Sequence, residues 1–480
     1  MKKQLLLCAM SVLVFLASCS KDTDDDGDLN PPVASNTVEI SGDVAANSTW
    51  TADKIYLLKG NVFVTGNATL TIEAGTIIKG DKATKGALVI TRGAKINATG
   101  TADKPIVFTS SIAAGARKEG DWGGIILLGK APNNLGTSVP IEGISDATDK
   151  GKHGGTDVAD NSGTMKYVRI EYAGIALGPD NEINGLTFGS VGNGTTIDYI
   201  EVYRSGDDAF EWFGGSVNCT HLLAIDSWDD DFDTDNGFSG KVQFGLAQRL
   251  AVTADVSGSN GFESDNDAAA SINTPQTSAV FSNMTILGPV GSGGSNINAN
   301  FQHGAQIRRN SAISIFNSVI VGYTEGVFFD DAVPTGGTNT TVNASVNLVA
   351  GRSVFANNAV YNSNGKSNQI KATALATVSP LLTAAIAANV FEPAIGLPTV
   401  VFADPYKYSA DLVVAARVGV PNFTLAAASP VATGAAFSNT KLAGFTTVAY
   451  KGAFGTADWS AGWASYSPQT LAYTTPGAVK

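Results

Sequence analysis

The chain has 480 residues, with 31 Lys and Arg against 43 Asp and Glu and a formal net charge of −12 at pH 7. So acidic a protein is excluded as a binder of nucleic acid or of anionic lipid surfaces. With 53 glycines and only 4 methionines, the composition describes short strands and tight turns, not helices.

At the N-terminus Lys2 and Lys3 precede an apolar run over residues 5–17, too short to stay in a bilayer as a spanning helix, so residues 1–18 read as a signal peptide. The run ends in Leu16-Ala17-Ser18-Cys19, which resembles the bacterial lipobox and implies a lipid on Cys19. Ordinary small-residue cleavage is the alternative. Cys8 leaves with the signal and Cys19 carries lipid, so Cys219 is left alone and no intramolecular disulfide is available. Beside Val217, Cys219 reads as a small apolar core residue.

Residues 19–36 carry Asp22, Asp24, Asp25, Asp26 and Asp28 and almost nothing to bury, the composition of a solvated tether. The stretch resembles the acidic segment behind the lipidated cysteine of surface-exposed lipoproteins in Bacteroidota-like bacteria, which implies the outer face of an outer membrane. A flexible periplasmic spacer is the other reading. After the signal no apolar run approaches transmembrane length, so the lipid is the expected membrane attachment.

From Ile55 the chain alternates short runs such as Val62-Phe63-Val64, Leu70-Thr71-Ile72, Leu88-Val89-Ile90 and Ile106-Val107-Phe108 with Gly60, Gly66, Gly75, Gly80 and Gly93. Strands this short do not fit a sandwich, whose strands usually run to about five or six residues. Coiled into a solenoid, they stack their alternating apolar residues inward, with glycines turning the corners. The expected fold is therefore all-β, a right-handed parallel β-helix over residues 37–345, with a β-sandwich as the alternative. Residues 130–164 read as a loop projecting from one coil. Residues 346–480 read as the solenoid's end and cap, including a helix from Pro380 with Ser379 as N-cap.

Three segments in the middle align: Asp208-Ala209-Phe210-Glu211-Trp212-Phe213, Asp230-Asp231-Phe232-Asp233-Thr234-Asp235 and Asn260-Gly261-Phe262-Glu263-Ser264-Asp265. Period 2 sends Phe210, Phe232 and Phe262 inward and Glu211, Asp231, Asp233, Asp235, Glu263 and Asp265 outward. It also sends Trp212 inward, where so large a side chain must fit beside Phe210. Parallel coils lie about 4.8 Å apart, where carboxylates repel. The ladder therefore points to a hard cation, Ca²⁺ above all, or to a basic partner or a hydrated acidic face. Asp231-x-Asp233-x-Asp235 is not an EF-hand, because Asn236 stands where the turn glycine belongs and Val242 where the bidentate glutamate belongs.

Other chemistry is sparse. His153, His221 and His303 are scattered, which argues against a zinc site, and no nucleophile elbow, phosphate loop or dinucleotide fingerprint is present. Arg308 and Arg309 read as salt-bridge partners of nearby acids such as Asp330 and Asp331, or as the base of a polysaccharide lyase. Asp208, Trp212 and Trp228 are candidates for holding a carbohydrate or small nutrient, through carboxylate contacts and ring stacking.

The strings Gly120-Asp121-Trp122-Gly123-Gly124, Asp207-Asp208-Ala209-Phe210-Glu211-Trp212-Phe213-Gly214-Gly215, Asp230-Asp231-Phe232-Asp233-Thr234-Asp235-Asn236-Gly237 and Tyr450-Lys451-Gly452-Ala453-Phe454-Gly455 are similar to those of a family of secreted β-helix proteins. That family occurs in Bacteroidota and includes a leptospiral outer-membrane lipoprotein. The resemblance covers nearly all of the mature chain and implies lipoproteins of the outer membrane, some encoded near TonB-dependent receptors; it carries no catalytic residue. It favours a non-enzymatic surface accessory to nutrient or metal uptake over a Ca²⁺-dependent carbohydrate-active enzyme or a structural or adhesive surface protein.

Overall fold

The computed structural model describes residues 36–480 apart from 145–148, 179–180, 293–296, 324, 338–342, 362–369, 373–379, 393–400, 409–416 and 418. The signal, Cys19 and the tether up to residue 35 lie outside the described residues, as does Ser379.

The alternating runs form a parallel β-helix with three faces. One face stacks Ala87–Ile90, Gly124–Leu128, Leu186–Gly189, Phe210–Phe213, Phe232–Asp235, Phe262–Ser264, His303–Ile307 and Glu325–Phe329, each parallel to the next. The other two faces are served by single strands that bend in the middle. Gly163–Glu171, Thr196–Tyr203, Asn218–Ile225 and Lys241–Gln248 each give their first half to the second face and their second half to the third. Inward residues of all three faces form one continuous core, with Leu70, Ile96, Ile125, Val168, Phe210 and Phe232 essentially inaccessible to solvent.

Glycines were expected to turn every corner, yet the bend between the second and third faces is made by Tyr167, Tyr199, His221 and Phe244 with φ of 50°, 56°, 54° and 61°. Left-handed backbone costs a non-glycine residue roughly 1–2 kcal/mol. Here the side chains stack from coil to coil, with ring centroids 4.4 Å apart for Tyr167–Tyr199, 4.2 Å for Tyr199–His221 and 5.2 Å for His221–Phe244. Each such contact returns about 0.5–1.5 kcal/mol. Where the rings end, Asn283, Asn317 and Asn357 continue the corner with φ of 56°, 51° and 60°, a conformation asparagine tolerates well.

Two segments depart from the sequence reading. The insertion near residues 130–164 does not project freely: between the two strands of its short hairpin, Val139–Pro140 and Lys152–His153, Ile141 and Ile144 pack on the outward side chains Ala87, Val89, Ile126 and Leu128 of the first face. The C-terminal segment is more than an end cap. The helix Pro380–Ile386 does place Ala385 and Ile386 against the core. Beyond it the chain runs back along the outside of the third face, where Phe423, Phe454, Trp463 and Tyr466 cover Tyr203, Leu223, Leu246 and Val319. Tyr473 and Val479 then reach Ile55, Ile77 and Val107 of the first coils. This strap is pinned by buried polar contacts: Arg169 donates to Tyr473 Oη at 2.7 Å and to the Val479 carbonyl at 2.6 Å, and Tyr473 Oη donates to Glu171 at 2.8 Å.

Candidate metal centre

The strap and the insertion cover the third face and the start of the first, and the outer surface of the first face beyond them is acidic. Register sets Phe210 on Phe232 on Phe262 and Glu211 on Asp233 on Glu263. The pleat sends the phenylalanines inward, fully buried, and the carboxylates outward. Just before each strand the backbone carries a second acidic column. Ala209 N–H donates to the Asp230 carbonyl at 2.9 Å, which places Asp208 beside Asp230, and the Asp230 amide donates to Asp208 Oδ1 at 2.7 Å. The Asn260 amide in turn donates to Asp230 Oδ1.

These columns converge. One oxygen from each of Asp208, Glu211 and Asp233 lies within 4.8 Å of the other two, and the same holds for Asp207, Asp208 and Asp229. Asp208, Glu211 and Asp230 are only 7%, 8% and 4% exposed. Glu211 accepts from the Asn184 amide group, while Asp233 Oδ1 and Asp229 Oδ1 are enclosed and take no hydrogen bond. Burial first, and neighbouring carboxylates second, push Asp208, Glu211 and Asp230 well above the usual carboxylate range. The same two causes push Asp233 up to about 8. Burial pushes Asp229 up to about 6, against the Ser257 hydroxyl that favours its charge. At this spacing two carboxylates repel by about 3 kcal/mol at an effective dielectric of 20. A Ca²⁺ ion takes oxygens at about 2.3–2.6 Å, so two of its ligands stand no more than about 5 Å apart. The spacing of the two clusters, within 4.8 Å, meets that limit.

The structure brings some of the expected ligands together and separates others. Glu211 and Asp233 share the cluster. Asp235 and Asp265 lie further along the face, and Glu263 and Asp265 are neutralised by arginine: Arg308 bridges both, contacting Asp265 at 2.8 Å, and Arg309 meets Asp265 at 2.6 Å. These two acids are thus the bridging partners where Asp330 and Asp331 had been expected; Asp331 accepts from the Ser345 amide at 2.8 Å and from its hydroxyl. Asp231 is a correction. It is fully buried and pairs with Arg249 Nε at 2.9 Å, because it precedes the strand and the period-2 count does not carry across the corner. Trp212 is a second correction as a ligand-stacking residue. Its indole lies in the core between Phe188 and Phe238, each 5.3 Å away; its register partner in the next coil, Thr234, and Ser264 one coil further are small enough to leave it room. Trp228 is 43% exposed, with Nε1 donating to the Ala254 carbonyl at 2.9 Å. Asp208, expected only as a ligand-binding residue, is a member of both carboxylate clusters. Sequence reasoning missed Asp207, Asp229 and Asp230; the signal was the recurrence of an Asp-Asp doublet one coil apart. Cys219 is buried, and burial pushes its thiol up, away from reactivity.

The sequence matches the family described as pectate-lyase like beta helix domain over residues 42–390. Among solved structures the chain is similar to the Dettilon tailspike protein, at 10% identity with a TM-score of 0.28, covering 71% of this chain and 63% of that one. It is also similar to a mutant of the PL6 family alginate lyase AlyGC, at 10% identity with a TM-score of 0.26, covering 75% of this chain and 50% of that one. The chain thus spans less than two thirds of the length of either. No curated protein matches it.

Proposed function

We propose, from the premise that the chain belongs to the pectate-lyase-like β-helix domain family, that it is a non-enzymatic lipoprotein of the bacterial cell surface that binds through a divalent cation. The ion, Ca²⁺ by its preference for oxygen, is held by Asp208, Glu211 and Asp233. The observation that carries this reading is the convergence of these three carboxylates to within 4.8 Å, with no ion pair to any of them among the described residues. The anchor on Cys19 and the acidic tether support an address on the outer membrane. A place beside a TonB-dependent receptor, as an accessory to nutrient or metal uptake, follows from the family resemblance alone. The carbohydrate-active alternative keeps Trp228 but loses Trp212 to the core, and Arg308 is committed to Glu263 and Asp265. Binding without catalysis is therefore the better supported reading.

Cation binding to the folded state alone should raise stability by about 2.7 kcal/mol at a hundredfold excess over Kd. The pH dependence has a definite sign. Carboxyls whose folded pKa is raised contribute stability below their unfolded value near 4, and that contribution is lost as pH rises through the folded value, about 6 for Asp229 and about 8 for Asp233. Chelator-treated protein should therefore melt at progressively lower temperature from pH 5 to pH 8, and Ca²⁺ should restore most at pH 8, where protons compete least. A melting curve that ignores Ca²⁺ at pH 8, or a gain left undiminished in Glu211→Gln/Asp233→Asn, would overturn the cation site. The anchor is tested separately: Cys19→Ala, expressed in a Gram-negative host, should leave the detergent phase for the aqueous phase, and equal partitioning with the unchanged protein would refute lipidation.

A further inference from the structure

We infer that the end of the strap is a pH-sensitive clasp: it closes on the third face only with a proton on one of two glutamates buried beneath it, and it opens more often as that proton is lost. The device lies apart from the acidic first face and does not depend on what that face binds.

Arg169 and Glu201 are register partners in neighbouring coils, and Glu171 stands two residues beyond Arg169 on the same outward side. Outward on a solenoid is ordinarily wet, yet Arg169, Glu171 and Glu201 are at most 1% exposed, because the strap roofs them. The charged groups themselves hold that roof. The Ser465 amide donates to Glu201 Oε2 at 2.9 Å, Tyr473 Oη donates to Glu171 Oε1 at 2.8 Å, and Arg169 donates to the Val479 carbonyl at 2.6 Å.

Two carboxylates thus share one guanidinium. Arg169 Nε meets Glu171 Oε1 at 3.3 Å, while Glu201 Oε1 is enclosed and takes no hydrogen bond. Arg117 and Arg417 act on the pair from the rim. Neither pairs with a glutamate: Arg117 donates to the Ile112, Pro468 and Ala472 carbonyls, and Arg417 meets Asp226 at 3.3 Å. The other titratable groups about Glu201 are phenols, Tyr203 on its own strand and Tyr466 in the strap, and its partner in the next coil is Leu223. A second negative charge here has no cation of its own, and a carboxyl out of water then keeps its proton. Burial, against the pull of Arg169, pushes Glu201 up to about 8 and holds Glu171 above the usual carboxylate range.

The sign follows from the raised value. Closure is fully favoured below the ordinary carboxylate value of 4.5, and the advantage is lost as pH rises through about 8. Opening releases one proton within that window, so its equilibrium grows about tenfold per pH unit. An open clasp bares Ile55, Ile77 and Val107, which Tyr473 and Val479 cover.

The test is hydrogen exchange of the full chain from about pH 5.5 to about pH 8.5, each amide expressed as a protection factor so that the intrinsic pH dependence of exchange cancels. Protection of Ser465, Thr470 and Leu471 should fall about tenfold per pH unit up to about pH 8 and level off above, while that of Thr69–Ile72 stays flat. Glu201→Gln, neutral and of the same shape, should keep the strap protected throughout. Glu171→Gln leaves one carboxylate to one guanidinium and should flatten the profile as well, which keeps the test open should Glu201→Gln not fold. The acidic face is the same in all three chains, so a fall arising there would persist in both variants. Protection that ignores pH in the unchanged protein, or a fall left undiminished in either folded variant, would overturn the clasp.

Discussion

Phe232→Asp is expected to unfold the middle of the solenoid, at a cost of several kcal/mol. Phe232 is fully buried, with its ring centroid 5.8 Å from Phe210 and 5.5 Å from Phe262. An aspartate there has no cation within the apolar interior, so it must be buried charged or be protonated, and either costs far more than the lost stacking. In a solenoid each coil leans on its neighbours, so the damage should spread along the axis before it reaches the ends. Hydrogen exchange is therefore the sharper measurement. Amides of Phe210–Phe213 and Phe262–Ser264 should lose protection before those of Thr69–Ile72. A variant with the protection and melting temperature of the unchanged protein would show that the aromatic column does not support the core.

The column was legible because within one strand the side-chain period is fixed at 2, and the three aligned segments each carry Phe at the same phase. The same reasoning gave the β-helix, since runs such as Leu70-Thr71-Ile72 are too short for any architecture but a coil. It placed Trp212 inward correctly while leaving its room unexplained; the room comes from Thr234 and Ser264 in the coils that follow, which only the register reveals.

What failed did so at corners and over long distances. Period 2 does not survive a turn, so Asp231 was carried outward with Asp233 although it faces Arg249. Tyr167 and His221 lie inside the strands Gly163–Glu171 and Asn218–Ile225, yet each sits at a left-handed bend, because stacking with the next coil offsets a strain that a single coil could not bear. The strap was illegible for another reason. Its residues Phe423, Trp463 and Tyr473 follow no period, since they fill gaps set by the outward side chains of the third face. The carboxylate clusters were half legible: Glu211 and Asp233 lie on a strand and follow the count, whereas Asp207 and Asp229 lie before it.

Arg249→Met should cost about 3–5 kcal/mol, because it leaves the buried Asp231 carboxylate without its cation and the buried Ser227 carbonyl without its donor. Arg249 is wholly inaccessible, and its guanidinium is satisfied on every side. Nε donates to Asp231 at 2.9 Å and lies 3.3 Å from Tyr323 Oη, Nη1 donates to the Ser227 carbonyl at 2.6 Å, and Nη2 donates to the Asn260 carbonyl at 2.6 Å. Those partners lie in the corner that carries Asp229 and Asp230, so this one side chain braces the turn from within while the carboxylates crowd its outside. Replacing both members of the pair, as in Arg249→Met/Asp231→Leu, should recover much of the loss, since the uncompensated charge is gone and only the Ser227 carbonyl is left unpaired. Ca²⁺ should rescue the single variant only weakly, because the missing donor lies inside the corner and the carboxylates proposed to bind the ion lie outside it. Denaturant midpoints of the two variants would decide: a single variant within 1 kcal/mol of the unchanged protein, or a double variant no better than the single, would show that the corner does not depend on the buried pair.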